Sequence, residues 1–291
     1  MIITPMLTSS PEGQARIFRL KDRFQTADTQ CRETVSKILD AIRTRGDTAL
    51  LEYTKKFDAP DFKLDQIKVS EKEIAEAEKL VDNEFLAALE HAADRIQDFH
   101  EREKEESWIV TREDGAVTGR LVRPVDSAGL YVPGGMGGKT PLVSSVLMNG
   151  IPAGIAGVKK RVMMTPPGEN GHVNPALLVA AKRIGISEIY KAGSAWAIAA
   201  LAFGTETVPA VDVIVGPGNQ YVTEAKRQIS GRVRIDMIAG PSEVLIVADS
   251  SATPAYIAAD MLAQAEHDPQ ALAMLVTTDR KIADKTVSEL A

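Results

Sequence analysis

The residues best suited to metal chemistry stand in the stretch Asp260–Asp268. Gln264 and His267 are three positions apart, so a helix would present both side chains on the same side. A neutral imidazole is a good zinc ligand and an amide oxygen a rarer one, but zinc normally takes at least three protein ligands. A histidine near a helix end has the alternative role of a capping or dipole contact. The pair alone leaves both interpretations open.

Two glycine-containing loops favour the binding of anionic groups. Residues 134–140 read GGMGGKT, but only three residues separate Gly134 from Gly-Lys-Thr, where a P-loop requires four. The second loop, Gly216–Asn219, stands before a predicted helix, whose first amides favour anions, although Asn219 has the alternative role of helix cap. Ser242 lies in a turn before an apolar run and can simply satisfy backbone groups there.

The chemistry-bearing loops alternate with short apolar runs and helix-length segments from about residue 117 onward. The predicted strands are Gly129–Val132, Arg161–Thr165, Glu188–Ala192, Val211–Val215, Val244–Ala248 and Ala273–Thr277. Several are apolar on both faces, which is typical of a parallel sheet covered by helices on both sides. The pattern predicts an α/β fold of two incomplete Rossmann-like, doubly wound domains.

The first hundred residues predict helices. Apolar residues recur at helical spacing from Val35 to Ile42, and Gly46 then interrupts the pattern. Ser70 and Glu73 form a predicted capping box, and another apolar stripe runs from Phe85 to Phe99. The only strand candidate here is residues 67–69.

Composition shifts predict the domain boundaries. One boundary is expected near Arg123-Pro124 and another near Gly240-Pro241. The first domain is predicted to comprise residues 1–122, as a helical N-terminal region, together with residues 240–291. The second is predicted to comprise residues 123–239. Two strands after residue 240 are too few for an independent domain.

Charge and composition exclude several classes of partner. The net charge of −6 and the lack of a long basic run argue against a nucleic-acid binder. Cys31 is the only cysteine, which excludes an intrachain disulfide and a cysteine-based metal cluster. The N-terminus lacks the pattern of a signal peptide, and no apolar run is long enough to span a bilayer. A cytoplasmic protein with small-molecule partners or copies of itself is expected.

The motifs taken together resemble the histidinol dehydrogenase family. The matching segments, in family order from roughly residue 20 to the end, are Gly129–Gly135, Ser144–Asn149, Val215–Asn219, Glu224–Gln228, Ile235–Met237, Ala239–Val244 and Gln264–His267. The resemblance implies oxidation of L-histidinol to L-histidine through the aldehyde, with two NAD molecules and a bound zinc. It also implies that the domain of residues 123–239 lies on the NAD side, and that the family-length chain forms a homodimer.

The resemblance assigns roles to six residues. Gln264 and His267 are implied zinc ligands that also contact substrate, and Ser242 is implied to line the substrate pocket. Tyr131 and Asn219 are implied NAD contacts. Trp196 stands where the family has a glutamine that contacts NAD, so it would either stack on the cofactor or block it.

Other departures from the family concern the catalytic machinery. The family's Glu-His pair, an aspartate ligand and a second histidine ligand lie in a stretch that we expect to fall beyond Ala291, and no histidine follows His267. The 291-residue chain is therefore predicted to lack turnover.

Three functional classes follow. The first is a histidinol dehydrogenase represented by an incomplete chain. The second is a non-catalytic truncated relative that binds a nucleotide or a partner protein. The third is an unrelated phosphate binder built on residues 134–140, whose spacing argues against it.

Overall fold

The computed structural model describes residues 4–22, 29–134, 141–239, 242–266 and 271–291. Two compact units are distinguished along the chain: residues 30–239 form one, and residues 1–29 with 240–291 form the other. The helices are α1 (Pro11–Asp22), α2 (Thr29–Phe57), α3 (Glu71–Ala77), α4 (Asn83–Glu101), α5 (Val143–Ile155), α6 (Pro175–Arg183), α7 (Ser194–Phe203), α8 (Gln220–Ile229), α9 (Pro254–Ala265) and α10 (Arg280–Glu289).

Nine strands form three sheets within these described ranges. They are β1 (Trp108–Thr111), β2 (Val117–Arg120), β3 (Ser127–Tyr131), β4 (Lys160–Thr165), β5 (Glu188–Lys191), β6 (Val213–Val215), β7 (Arg234–Ile235), β8 (Glu243–Ala248) and β9 (Leu272–Thr277). The order β5-β4-β3-β6-β7 defines a parallel five-stranded sheet. The predicted α/β class is confirmed. Each of the six strands predicted after residue 117 is present, and its bounds differ from the predicted ones by at most two residues.

The five-stranded sheet carries an apolar core on each face. One core joins α2, α7 and α8, and the other joins α3, α4, α5 and α6. The alanine-rich helix α7 is buried along most of its length. Small side chains of this kind let a helix backbone pack close to a sheet. All five residues of β3 are buried, as expected for the central strand of a doubly covered sheet.

Helices α2, α3 and α4 belong to the unit of the five-stranded sheet, whereas α1 belongs to the smaller unit. For α2 the reason is its apolar stripe, since Val35, Ile38 and Ile42 are buried in the same core as Ile198 of α7. In the same way the stripe of α4 packs through Leu89 on the opposite face of the sheet. The two units are divided at residue 240. The domain division expected from the sequence, 1–122 with 240–291 and 123–239, stays a prediction.

Local signals in the first hundred residues mostly predicted the structure correctly. Gly46 (φ 52°) interrupts α2, and the Ser70 side chain and Glu73 form the reciprocal capping box that precedes α3. The strand candidate at residues 67–69 is reduced to one isolated bridge, between Lys68 and Tyr190. The hairpin of β1 and β2 was not predicted, because its residues are exposed and lack a buried alternation.

The smaller unit contains the parallel pair β8–β9 with α9 and α10. The register runs from Glu243 opposite Leu272 to Ala248 opposite Thr277. Alternate residues of β8 are half-buried and exposed, and Leu245 and Val247 are among the exposed ones.

Candidate cofactor-binding site

The order of the five strands creates a switch point between β3 and β6. The chain continues from β3 through α5 to β4 on one side, and from β6 through α8 to β7 on the other. Ligands of open α/β sheets bind in the crevice beyond the carboxyl ends of two such strands. The loops after Tyr131 and Val215 therefore border the candidate cofactor site; residues 135–140 of the first loop lie outside the described residues.

The loop after β6 approaches the end of β3 so closely that no side chain fits at residue 216. Gly216 has φ +121°, and a Cβ atom added there would lie 2.1 Å from the carbonyl oxygen of Tyr131. The same oxygen accepts a hydrogen bond from Asn149 Nδ2 at 3.4 Å. Glycine is thus required at position 216 both by conformation and by space.

A buried ion pair holds the Gly216 peptide. Lys226 is 3% exposed, and its Nζ donates to the Gly216 carbonyl at 2.5 Å and to Asp236 Oδ1 at 2.6 Å. The Gly216 N–H in turn donates to Asp236 Oδ2 at 2.9 Å. Both polar groups of residue 216 are thus bound by one Lys-Asp pair, which fixes this loop. We did not predict this role; the available signal was a lysine on the stripe of α8 that otherwise buries Val222 and Ile229.

Asn219 caps α8. Its Oδ1 accepts hydrogen bonds from the N–H groups of Tyr221 at 3.0 Å and Val222 at 3.1 Å. The side chain is exposed, and no residue in the described ranges accepts a hydrogen bond from its Nδ2. The capping interpretation is confirmed, and the amide N–H groups remain free for a ligand. The predicted NAD contact stays a prediction.

Tyr131 and Trp196, the other two predicted NAD contacts, are buried side chains. Tyr131 is 4% exposed, and its hydroxyl oxygen accepts a hydrogen bond from Ser194 N–H at 2.9 Å. Burial raises the pKa of this hydroxyl above its ordinary value. Trp196 is 5% exposed and stacks on Phe57, with ring centroids 5.3 Å apart, and on Tyr53 at 5.9 Å. The structure brings both residues to the start of α7, and their contact with NAD stays a prediction.

Asp58 belongs to this cluster, although the sequence did not single it out. Burial raises the pKa of its carboxyl to about 7, and the N–H groups of Trp196 and Gly193 lower it in part. A Cβ atom added at Gly193 would lie 3.3 Å from both carboxyl oxygens of Asp58. An acid directly after the last residue of α2, Phe57, was the available signal, but nothing in the sequence indicated that α7 would cover it.

A cavity of about 820 Å³ lies beside Gly134, and several of its lining residues are acidic. Its lining includes Glu73, Glu76 and Glu169. Burial acts to raise the pKa of Glu73, but the ion pair with buried Lys191 outweighs it and lowers that pKa. Carboxylates repel a pyrophosphate, so charge favours the crevice between β3 and β6 for a dinucleotide.

In the smaller unit the structure brings Ser242 and Gln264 together. Gln264 Nε2 donates to the Ser242 carbonyl at 3.5 Å, and the same carbonyl accepts a hydrogen bond from Leu272 N–H at 3.3 Å. His267 lies outside the described residues. Within the described part of the chain, no group of three or more His, Cys, Asp or Glu side chains is placed to hold a metal. The described residues supply one of the two predicted zinc ligands, Gln264, and do not by themselves fit a zinc site.

None of the helices within the described ranges is both long and apolar enough to cross a membrane. The parallel sheet, its switch point and the capped helix beyond it define a doubly wound α/β protein of the Rossmann-like class.

Comparisons with known proteins specify the family. The family profile described as histidinol dehydrogenase matches residues 21–291. A histidinol dehydrogenase from Desulfotalea psychrophila is 65% identical over 100% of this chain and 67% of its own length. One from Nitratidesulfovibrio vulgaris is 54% identical over 90% of this chain and 60% of its own length. The chain belongs to the histidinol dehydrogenase family.

A solved structure agrees with this assignment. The crystal structure of histidinol dehydrogenase from Elizabethkingia anophelis has 45% sequence identity and a TM-score of 0.80, over 91% of this chain and 60% of that one. The chain thus spans roughly three fifths to two thirds of the length of these relatives.

Proposed function

We propose that the protein to which this chain belongs oxidises L-histidinol to L-histidine through the aldehyde, and that residues 30–239 bind the NAD. Each step transfers one hydride to one NAD, and the second step adds one water to the aldehyde carbon. The observation that carries the proposal is the crevice between β3 and β6, where an ion pair fixes Gly216 and Asn219 leaves its amide N–H groups free. Such a crevice suits a dinucleotide.

The contribution of each predicted residue follows from its place. Asn219 is proposed to donate to NAD while it caps α8, and Tyr131 and Trp196 to form the buried wall behind the cofactor. Ser242, Gln264 and His267 are proposed to face the substrate. Zinc, with Gln264 and His267 as two of its ligands, and a homodimer belong to the proposal for the family-length protein.

NAD affinity tests the location of the cofactor. Asn219 and Asn174 are both asparagine caps, since Asn174 Oδ1 accepts from Ala176 N–H at 3.0 Å, but Asn174 lines the acidic cavity. Aspartate caps a helix as well as asparagine does. Asn219→Asp removes an N–H donor and adds a charge beside the pyrophosphate, so we expect NAD affinity to fall about 10-fold. Asn174→Asp should leave it unchanged, and equal losses would place the cofactor elsewhere.

Turnover tests the reaction. With L-histidinol, NAD and zinc, we expect no NAD reduction by the 291-residue chain, because no histidine follows His267 in its sequence. A full-length relative is the positive control. Rapid turnover by the 291-residue chain would contradict our assignment of the catalytic pair. A family-length version that binds NAD but never turns over would favour the non-catalytic relative instead.

A further inference from the structure

Among the described buried polar atoms without a hydrogen-bond partner, an Asp58 oxygen and the Trp196 indole nitrogen lie where α2 ends and α7 begins. Asp58 Oδ2 and Trp196 Nε1 are both buried, and neither makes a hydrogen bond of ordinary geometry within the described part of the chain. They belong to one cluster, because Phe57, the residue before Asp58, stacks on Trp196 with ring centroids 5.3 Å apart. The indole N–H accordingly lowers the pKa of the carboxyl. Buried polar atoms are rarely left unpaired, so such a pair calls for an explanation.

The turn between these atoms is strained. Ser194 has φ +44° and is the one non-glycine residue with positive φ among those that the structure describes. Its N–H donates to the Tyr131 hydroxyl, while the carboxyl of Asp58 lies against the preceding residue, Gly193. A strained turn persists only when its surroundings hold it. Here the end of β3 holds it through Tyr131, and the end of α2 holds it through Asp58.

The same turn binds one predicted NAD contact, Tyr131, and directly precedes another, Trp196. Tyr131 accepts from Ser194, and Trp196 follows two residues later in the first turn of α7. Phe57, which stacks on Trp196, is the last residue of α2 and directly precedes Asp58. A change in the carboxyl of Asp58 therefore acts directly on the position of the indole.

We propose that Asp58 is a positioning residue of the NAD site, whose carboxylate holds Trp196 and the Gly193–Ser194 turn in the buried arrangement. This inference rests on the proposed function, because it concerns the affinity for NAD. The carboxylate attracts the indole N–H and adds a negative charge near an anionic cofactor. The protonated acid carries no charge and accepts the indole N–H only weakly, while the Tyr131 hydroxyl and the stacking on Phe57 still hold the turn and the indole. NAD therefore binds more tightly to the protonated form.

The described groups that face Asp58 are uncharged near neutral pH, so Asp58 is the group of this cluster that titrates there. From α7 and the turn before it come the neutral N–H groups of Trp196 and Gly193, and from β3 comes the Tyr131 hydroxyl, which stays protonated because burial raises its pKa. From α2 comes Thr54, whose carbonyl accepts from Asp58 N–H. No described cation forms an ion pair with this carboxyl. Since burial raises the pKa to about 7, the switch falls near neutral pH.

Fluorescence tests the contact without any cofactor. Trp108 and Trp196 are the two tryptophans, so Trp108→Phe leaves Trp196 as the sole indole. We expect its emission to titrate with a midpoint near pH 7. Asp58→Asn in the same background should abolish that titration, while Asp61→Asn, at an exposed acid nearby, should preserve it. A flat profile before mutation, or a titration that survives Asp58→Asn, would overturn the proposal.

NAD affinity tests the consequence. In the native chain we expect the Kd for NAD to be about 3- to 10-fold higher at pH 8 than at pH 6, and in Asp58→Asn to be equal at both. If that variant fails to fold, Trp196→Phe replaces it. Loss of the indole N–H destabilises the carboxylate, so the midpoint of the pH dependence of the Kd for NAD should move to higher pH. An unchanged midpoint would refute the role of Asp58. Absence of NAD binding at every pH would refute the proposed function, while fluorescence still decides the contact.

Discussion

The strands of the two parallel sheets are similarly apolar, but their surroundings differ. The five-stranded sheet is covered on both faces, and in its strand β4 the residues from Val162 to Thr165 are all buried. In the two-stranded sheet, α9 and α10 pack on one face, while Leu245 is 55% and Val247 76% exposed. An apolar strand thus shows that a surface is suited to burial, but not which element covers it.

The comparison also separates the two halves of the predicted site. The cofactor half, at β3 and β6, has its glycine, its helix cap and its ion pair within one unit. The substrate half, at Ser242 and Gln264, shows among the described residues one hydrogen bond between two predicted site residues. The difference can be sharpened by substitutions that affect one unit and leave the other folded. Trp108 and Trp196 both lie in residues 30–239, so fluorescence reports on the larger unit.

The largest effect is expected at the ion pair that holds Gly216. Lys226→Met leaves Asp236 without its partner, and removing one member of a buried pair costs about 3 kcal/mol when the other is partly exposed. Urea denaturation followed by fluorescence measures the loss. Arg43→Ala, which breaks an exposed pair with Asp40, should cost less than about 0.5 kcal/mol. Equal costs for the two variants would mean that the buried pair does not stabilise the loop.

Two glycines with positive φ separate conformational strain from close approach. An added Cβ at Gly231 (φ +97°) meets nothing within 4 Å, whereas one at Gly216 meets the Tyr131 carbonyl at 2.1 Å. Gly231→Ala should therefore cost about 1 kcal/mol, from backbone strain alone. Gly216→Ala should cost roughly 2 kcal/mol more, because the loop must also move away from β3. The difference between the two midpoints in urea is the measurement, and equal midpoints would contradict the close approach.

The same substitution in each sheet tests how much the covering helices contribute. Val162→Ala, in a fully buried position of β4, should lower the free energy of unfolding by about 2 kcal/mol. Val247→Ala, on the exposed face of β8, should change it by less than about 0.5 kcal/mol, as read by hydrogen exchange of β8 and β9. A large cost at Val247 would show that its face is covered in solution, for instance by self-association.

A further effect concerns the pH dependence of stability. The folded pKa of Asp58, about 7, lies above the ordinary value of 3.8, so between these values the folded chain keeps a proton that the unfolded chain has lost. The free energy of unfolding therefore falls as the pH rises from about 4 to 7. Since each pKa unit represents about 1.4 kcal/mol, Asp58→Asn should remove this loss and gain roughly 2 to 3 kcal/mol more at pH 8 than at pH 5. Thermal unfolding at both values measures it, and an equal gain at both would contradict the raised pKa.

Short-range patterns predicted the fold well. The capping box at Ser70, the break at Gly46 and the strands of the five-stranded sheet depend on residues close in sequence. The cluster at Asp58 depends instead on Gly193 and Trp196, more than 130 residues away. Likewise, the role of Lys226 required knowing that Gly216 and Asp236 would meet. Spacing rules do not reach such distances, so the chemistry of the site was only partly predictable.

The division of the chain into units has a consequence for its synthesis on the ribosome. Residues 30–239 are continuous in sequence, so the larger unit can fold as soon as its last helix and strand emerge. The smaller unit combines residues 1–29 with 240–291, and its first segment is made long before its partner. At ~5 to 20 residues per second, the remaining stretch takes about 3 to 10 s to translate. During that interval the nascent chain carries a folded unit between two segments that have not yet joined.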